Sequence, residues 1–361
     1  MIKVNKARDD PWWGSKMKIT RVETFTLAVP FVPKMEVLND SLAKVPKVII
    51  KVHTDDELIG IGETYRGIPE SAVCEEASRL IGKNPVDMNL QDLKVSPRLK
   101  HVFEQALYDL AGKALGVPVY KLLGGAYRTE VPVSAWSPYH GPKNPEKTAE
   151  IAELAAELGY SIIKLKARPW DILETVKAIE KAAGPDMGII CDPNTRFDQP
   201  SIAVKIARKL EGYNIVCFED PVPKENLYWY VLLRHKIDIP IALHIGGADI
   251  IRAIKAEACD MINTSGTMWE FKRNAAIAEL AGIPVWHGSG NDLGILEASY
   301  LHACAATKNA TLTSDVFGEF CRENDLLVEP IEIKNGYAKV PDKPGLGVEL
   351  DEKAIEKYRI K

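Results

Sequence analysis

An α/β barrel joined to a smaller α+β domain is the fold this sequence predicts, and three observations predict it. Four short apolar runs end at Lys166, Asp192, Glu219 and His244, at intervals of 26, 27 and 25 residues, about one strand-helix unit of a parallel α/β fold. From Val131 onward such runs alternate with amphipathic helical stretches, and eight can be counted, at 131–136, 161–166, 187–191, 215–219, 239–244, 260–264, 283–287 and 310–314, enough to close a TIM-like barrel. The 361 residues, 46% of them hydrophobic, suffice for that barrel and a second, smaller core.

Residues 1–16, with Asp9-Asp10-Pro11-Trp12-Trp13, form a leader outside the regular pattern. From Met17 the chain alternates through Ile19-Thr20-Arg21-Val22, Val48-Ile49-Ile50-Lys51-Val52 and Ile59-Gly60-Ile61-Gly62-Glu63, which reads as an antiparallel meander. A long polar loop between its first two strands, Val32 to Pro46, is expected to be functional. Residues 70–122 read as helical, most clearly over Val102 to Leu115, where Val102, Leu107, Leu110, Ala111 and Leu115 keep a stripe that Gly116-Val117-Pro118 stops. The segment 325–361 returns to alternation at Ile331-Glu332-Ile333 and cannot continue the barrel period. The expected division is therefore 1–16 leader, 17–130 first domain, 131–324 barrel, and 325–361 returning to the first domain.

A formal net charge of −4 and the absence of a dense Lys/Arg block argue against a nucleic-acid surface and for a small-molecule substrate. The six cysteines are scattered without a CxxC, as reduced thiols are, and no run of roughly 18 apolar residues could span a bilayer. A cytoplasmic protein without a membrane partner is expected.

Asp192 and Glu219 end consecutive strands and supply hard oxygen ligands suited to Mg²⁺ or a similar divalent ion, with Asn194 and Asp220 close behind. Lys164 and Lys166 are one residue apart, so both face one side of their strand, toward the barrel interior. Neighbouring positive charge and partial desolvation are expected to lower a lysine pKa toward the range useful to a general base.

These motifs resemble those of the enolase superfamily, in the branch of mandelate racemase and muconate lactonizing enzyme. The resemblance is carried by Lys164-Leu165-Lys166, Asp192-Pro193-Asn194, Phe218-Glu219-Asp220-Pro221, and the passage Ala106 to Pro118 followed by Leu122-Leu123-Gly124-Gly125. It implies a capping domain over a (β/α)₇β barrel and one Mg²⁺ holding the carboxylate of a substrate. It further implies Lys166 as the base that takes a proton α to that carboxylate, Lys164 as its cationic neighbour, Asp192 and Glu219 as metal ligands, and Asn194 as close support for the substrate. Cap loops Phe31 to Pro46 and Tyr65 to Pro69 would carry specificity, and relatives of this branch often form homo-oligomers.

The sequence departs from that pattern at several strand ends. Relatives place a glutamate after the fifth strand, where counting from Pro240 reaches Ile245; His244, one residue earlier, is the expected third metal ligand. The sixth strand ends in Asn263-Thr264-Ser265 with no second lysine, so Ser265 is read as a substrate contact and a two-lysine epimerase is disfavoured. On the seventh strand His287 is the expected catalytic partner opposite Lys166, and Asp292 and Asp315 are the expected acidic substrate contacts. With so many polar side chains near the strand ends, the expected reaction is dehydration of an acid sugar or other hydroxy acid. The alternatives are a racemase, epimerase or cycloisomerase, and a non-catalytic ligand-binding relative.

Overall fold

The computed structural model describes residues 17–35, 46–142 and 144–360. The leader 1–16 and most of the expected specificity loop, 36–45, lie outside the described residues.

The chain opens with an antiparallel sheet of β1 (Ile19–Leu27), β2 (Lys47–Thr54) and β3 (Ile59–Glu63), in that spatial order. Helices α1 (Glu70–Ala77), α2 (Lys100–Leu115) and α3 (Val119–Leu122) follow. The sheet packs on α2, with Ile19, Val48, Ile50 and Val52 against Val102, Phe103, Ala106 and Leu110. The fit is close enough to dictate glycine: a Cβ on Gly60 would meet the Ala106 carbonyl oxygen at 2.2 Å, and one on Gly62 the Val102 oxygen at 2.2 Å. Helix α2 ends as its sequence predicts, at Gly116 in the left-handed conformation with φ 67°. It is buried on nearly every side, from His101 to Gly112, because the barrel covers the face that the sheet leaves open.

Next come β4 (Glu130–Pro132) and the seven parallel strands β5 (Ala135–Ser137), β6 (Ile162–Lys166), β7 (Gly188–Asp192), β8 (Ile215–Glu219), β9 (Ile241–His244), β10 (Met261–Thr264) and β11 (Val285–His287), paired in unbroken order. They alternate with α4 (Pro145–Glu157), α5 (Ile172–Ala183), α6 (Pro200–Lys209), α7 (Leu227–Lys236), α8 (Ala248–Ala256), α9 (Met268–Leu280) and α10 (Gly294–Ala305). The sequence order and the parallel register make a (β/α)₇β barrel.

Two expected strands differ in detail. The 310–314 run is not a regular strand; it closes the barrel through a single parallel bridge between Val133 and Ser314 and an Asp315 N–H bond to the His287 carbonyl at 2.9 Å. The 131–136 run is split, since β4 leaves the barrel to pair with the hairpin β12 (Ile333–Lys334) and β13 (Tyr337–Lys339).

The segment 325–361 accordingly divides. Its hairpin packs on β4 near Ile162 and Trp286 at the barrel's N-terminal mouth, while its last helix, α11 (Glu352–Tyr358), returns to β1. There Ala28 N–H bonds the Tyr358 carbonyl at 3.1 Å and Ile360 N–H bonds that of Thr26 at 2.9 Å. All six cysteines are free thiols, five of them buried, and no helix among the described residues is long and apolar enough to cross a membrane.

Candidate active site

Alternation along β6 sends Ile163 and Leu165 to the helices and Lys164 and Lys166 to the inside. Both lysines line a cavity of about 490 Å³ at the C-terminal end of the barrel, in the size range of small-molecule sites. Asp192, Glu219, His244 and Asp315 share its floor, each from the end of a different strand or closing segment.

The two lysines occupy different surroundings. Lys164 is buried, with its Nζ 2.8 Å from Glu219 Oε2, 2.8 Å from Asp315 Oδ2 and 3.9 Å from Asp192 Oδ2. Burial alone would lower its pKa, but the Asp315, Glu219 and Asp192 carboxylates outweigh that and hold it well above the ordinary value. The lowered pKa expected from sequence is therefore reversed at Lys164, which stays an ammonium. Lys166 keeps 26% of its side chain exposed to the cavity and donates to Asp192 Oδ2 at 2.5 Å.

The carboxylates are equally differentiated. Burial raises the Asp192 pKa, but Lys166 and Lys164 outweigh it and leave Asp192 below its usual range; its Oδ1 also accepts the Asn194 N–H at 3.0 Å. Glu219 is pushed up to about 7, by burial first, opposed by Lys164 and reinforced by Asp192 and Asp315. Its Oε1 accepts from Asn263 Nδ2 at 2.9 Å. His244 Nδ1 lies 3.8 Å from Glu219 Oε1. Burial, Lys164 and Lys224 lower the His244 pKa and keep the imidazole neutral, the form that binds metals.

This floor fits a hard cation by its donors. Three carboxylates face two ammoniums, Asp315 Oδ1 is buried without a hydrogen-bond partner, and Mg²⁺ needs only one or two protein carboxylates beside substrate and water. No group of three His, Cys, Asp or Glu side chains among the described residues forms a ready metal cage, since Lys164 stands between the carboxylates.

Two family models match the chain: the mandelate racemase/muconate lactonizing enzyme N-terminal domain over residues 19–124, and the enolase C-terminal domain-like family over 147–354. The chain belongs to the enolase superfamily. A D-xylonate dehydratase of Haloferax volcanii is 30% identical over 87% of this chain and 86% of its own length. An N-succinyl-L-Arg/Lys racemase of Bacillus cereus is 27% identical over 95% of this chain and 98% of its own. The crystal structure of N-succinyl Arg/Lys racemase from Bacillus cereus superposes with a TM-score of 0.83 at 25% identity, covering 95% of this chain and 98% of the other. That of a muconate lactonizing enzyme from Pseudomonas fluorescens complexed with muconolactone gives 0.82 at 26% identity over 96% and 100%. The chain is thus an enolase-superfamily enzyme of the lyase or isomerase type, of a family that uses Mg²⁺.

Within this superfamily barrel, Lys164, Lys166, Asp192, Asn194, Glu219, His244 and Asp315 meet at one cavity. Three other expected site residues do not. His287 is a correction: it faces outward, stacked on Tyr300 at 3.8 Å between ring centroids and tilted against Phe271 at 4.7 Å, while its neighbour Trp286 fills the barrel interior. Its Nδ1 meets the Gly288 carbonyl at 2.7 Å, and burial lowers its pKa to about 4. Strand alternation explains the reversal, because only one of two successive residues can face the site.

Asp292 is the second correction. It is buried off the cavity lining and accepts from Lys47 Nζ at 2.6 Å, Ser289 Oγ at 2.8 Å, Gly290 N–H at 2.9 Å and Tyr300 Oη at 2.7 Å. Ser265 follows β10 half-buried and off the cavity wall.

Sequence reasoning missed Arg168 and Tyr139, both on that wall, and reached Arg66 only as part of the cap loop Tyr65 to Pro69. Arg168 had a signal, since it extends the alternation of Lys164 and Lys166 by one more step. Asn291 stands at φ 62° with a buried Oδ1 that lacks a partner. It is one of the polar residues near the strand ends on which the expectation of a hydroxylated substrate rests.

Proposed function

We propose that this protein removes the α-proton of a hydroxylated carboxylic acid and expels the β-hydroxyl, as an acid-sugar dehydratase. The observation that carries the reading is the unequal pair on β6: Lys164 fenced by three carboxylates, Lys166 reaching the cavity. In this reading Lys166 is the base, and Asp192 orients its amine. Lys164 is a fixed positive charge where the substrate carboxylate gains negative charge as its α-proton leaves. Asp192 and Glu219, with His244 beside them, would hold Mg²⁺, which would supply Lewis-acid stabilisation of that carboxylate.

The proton gained by Lys166 then returns to the departing hydroxyl, so that water leaves and the resulting enol becomes a 2-keto acid. The unpartnered Asn291 Oδ1 and the Asn194 side chain offer polar contacts to the remaining hydroxyls. Reprotonation on the opposite face, as a racemase requires, has less support, because His287 points to the helices and β10 ends in Asn263 and Thr264. We further propose a cytoplasmic homo-oligomer, consistent with six free thiols.

The deciding experiment incubates the Mg²⁺-supplemented protein with a panel of acid sugars and N-acylated amino acids in D₂O. Formation of a 2-keto acid is expected. Deuterium at the α-carbon without keto acid would replace dehydration by racemisation. Added Mg²⁺ should also raise the unfolding temperature of the wild type and leave that of Asp192→Asn unchanged.

A further inference from the structure

The cavity floor accounts for one carboxylate of the substrate; among the described residues, the positive charge on its upper wall has no carboxylate in ion-pair contact. Arg66, from the cap loop after β3, and Arg168, two residues beyond β6, both line the cavity. Among the described residues neither makes an ion pair with a carboxylate: Arg168 donates to the carbonyls of Ala167 at 2.7 Å and Pro193 at 3.3 Å, and Asp192 and Asp171 act on it only at longer range, against the opposing charge of Arg196.

Arg168 is also held in place. Its guanidinium lies 4.8 Å over the Tyr139 ring, whose hydroxyl donates to Asp171 Oδ2 at 2.7 Å and accepts from Trp170 Nε1 at 2.8 Å. A half-buried, ring-stacked arginine facing a cavity is preorganised for bidentate capture of an anion. The remaining wall is uncharged, with Phe31 and Trp136 stacked at 6.2 Å, Phe317 tilted on Trp136 at 5.8 Å, and Ser289 to Asn291 beside them, so the charged contacts are confined to the floor and the arginines.

We propose that the substrate is a dianion, carrying a second carboxylate or a phosphate at the end away from the reacting carboxylate, and that Arg168 and Arg66 read it. The inference rests on the enolising site described above for the position of the reacting end. It defines the substrate class as aldarates or phosphorylated aldonates rather than simple aldonates.

Titration calorimetry with gluconate, glucarate and 6-phosphogluconate, and with their galacto counterparts, tests it on the wild type and on Arg168→Ala, Arg66→Ala and Arg168→Lys. At least one dianion should bind about tenfold or more tighter than the matching aldonate, and the preferred partner tells carboxylate from phosphate. Arg168→Ala and Arg66→Ala should shrink the ratio of dianion to aldonate affinity toward one, weakening dianions far more than aldonates, and Arg168→Lys, which keeps charge without the fork, should restore part of that ratio. Equal affinity for aldonates and dianions in the wild type, or equal weakening of all ligands in the variants, overturns the proposal. Binding and α-proton exchange are separate readouts, so a dianion preference in a protein that exchanges no α-proton would sink the dehydratase reading alone.

Discussion

Lys47 of the cap and Asp292 of the barrel meet 2.6 Å apart, both buried, across the seam between the two domains. Lys47 also pairs with Glu63 at 2.5 Å, and Glu63 accepts the N–H groups of Leu293 at 2.8 Å and Leu296 at 3.0 Å, at the start of α10. Burial raises the Glu63 pKa; at Asp292 the Lys47 ammonium outweighs burial and lowers it. The cap is thereby locked to the loop, Ser289 to Asn291, that walls the cavity. Lys47→Met would leave two buried carboxylates facing each other, and a loss of about 3–5 kcal/mol is expected in urea unfolding at pH 7. A loss under about 1 kcal/mol would place the pair in water instead.

The two lysines of β6 should separate in their effects. Lys166→Met should cut α-proton exchange by about 10²–10⁴-fold with little change in unfolding midpoint, as for a general base at a half-open position. Lys164→Met should abolish exchange and also destabilise, because Asp315, Glu219 and Asp192 lose their shared counter-charge. Retained exchange in Lys166→Met, followed by NMR in D₂O, would remove it as the base.

Outward-facing His287 yields the opposite expectation. His287→Phe keeps an aromatic ring between Tyr300 and Phe271, so exchange and turnover should stay within about tenfold of wild type, below the usual worth of a general acid. A larger loss in kcat, with the fold intact by circular dichroism, would return His287 to the chemistry.

Glu297 of α10 should make stability depend on pH. Its carboxylate accepts from the N–H groups of Phe317 at 2.8 Å and Gly318 at 3.0 Å, yet burial pushes its pKa up to about 8 from an ordinary value of 4.5. Between those values the folded protein holds a proton that the unfolded chain has released. The contribution of Glu297 is therefore complete below about pH 4.5 and is lost as pH rises through 8. Unfolding free energies measured from pH 5 to 8.5 should show a shallower decline in Glu297→Gln than in wild type. An unchanged slope would show that Glu297 does not ionise in this window.

Much of the fold was legible because it follows from local pattern. The stripe from Val102 to Leu115 and its stop at Gly116 reappear as α2, and the regular beat of apolar runs reappears as parallel strands in sequence order. Irregular closure was not legible: Leu312 and Ser314 read as another strand, but what forms there is a bridge to Val133 and single backbone bonds to Val285 and His287. The 131–136 run looked continuous because nothing in it reveals that β4 pairs with a hairpin some 200 residues later, around Ile333 and Tyr337.

The sequence by itself determined the (β/α)₇β order, the family, and the nearness of Lys164, Lys166, Asp192 and Glu219, since a strand's end and the parity of its residues are one-dimensional facts. Only the tertiary structure decided which lysine is fenced and which is open, that His287 faces Tyr300 and Asp292 serves Lys47, and that Arg66 and Arg168 share a wall. Those outcomes depend on charges and rings brought together from distant segments, where Coulombic attraction and desolvation act over a few ångströms of space whatever the separation along the chain.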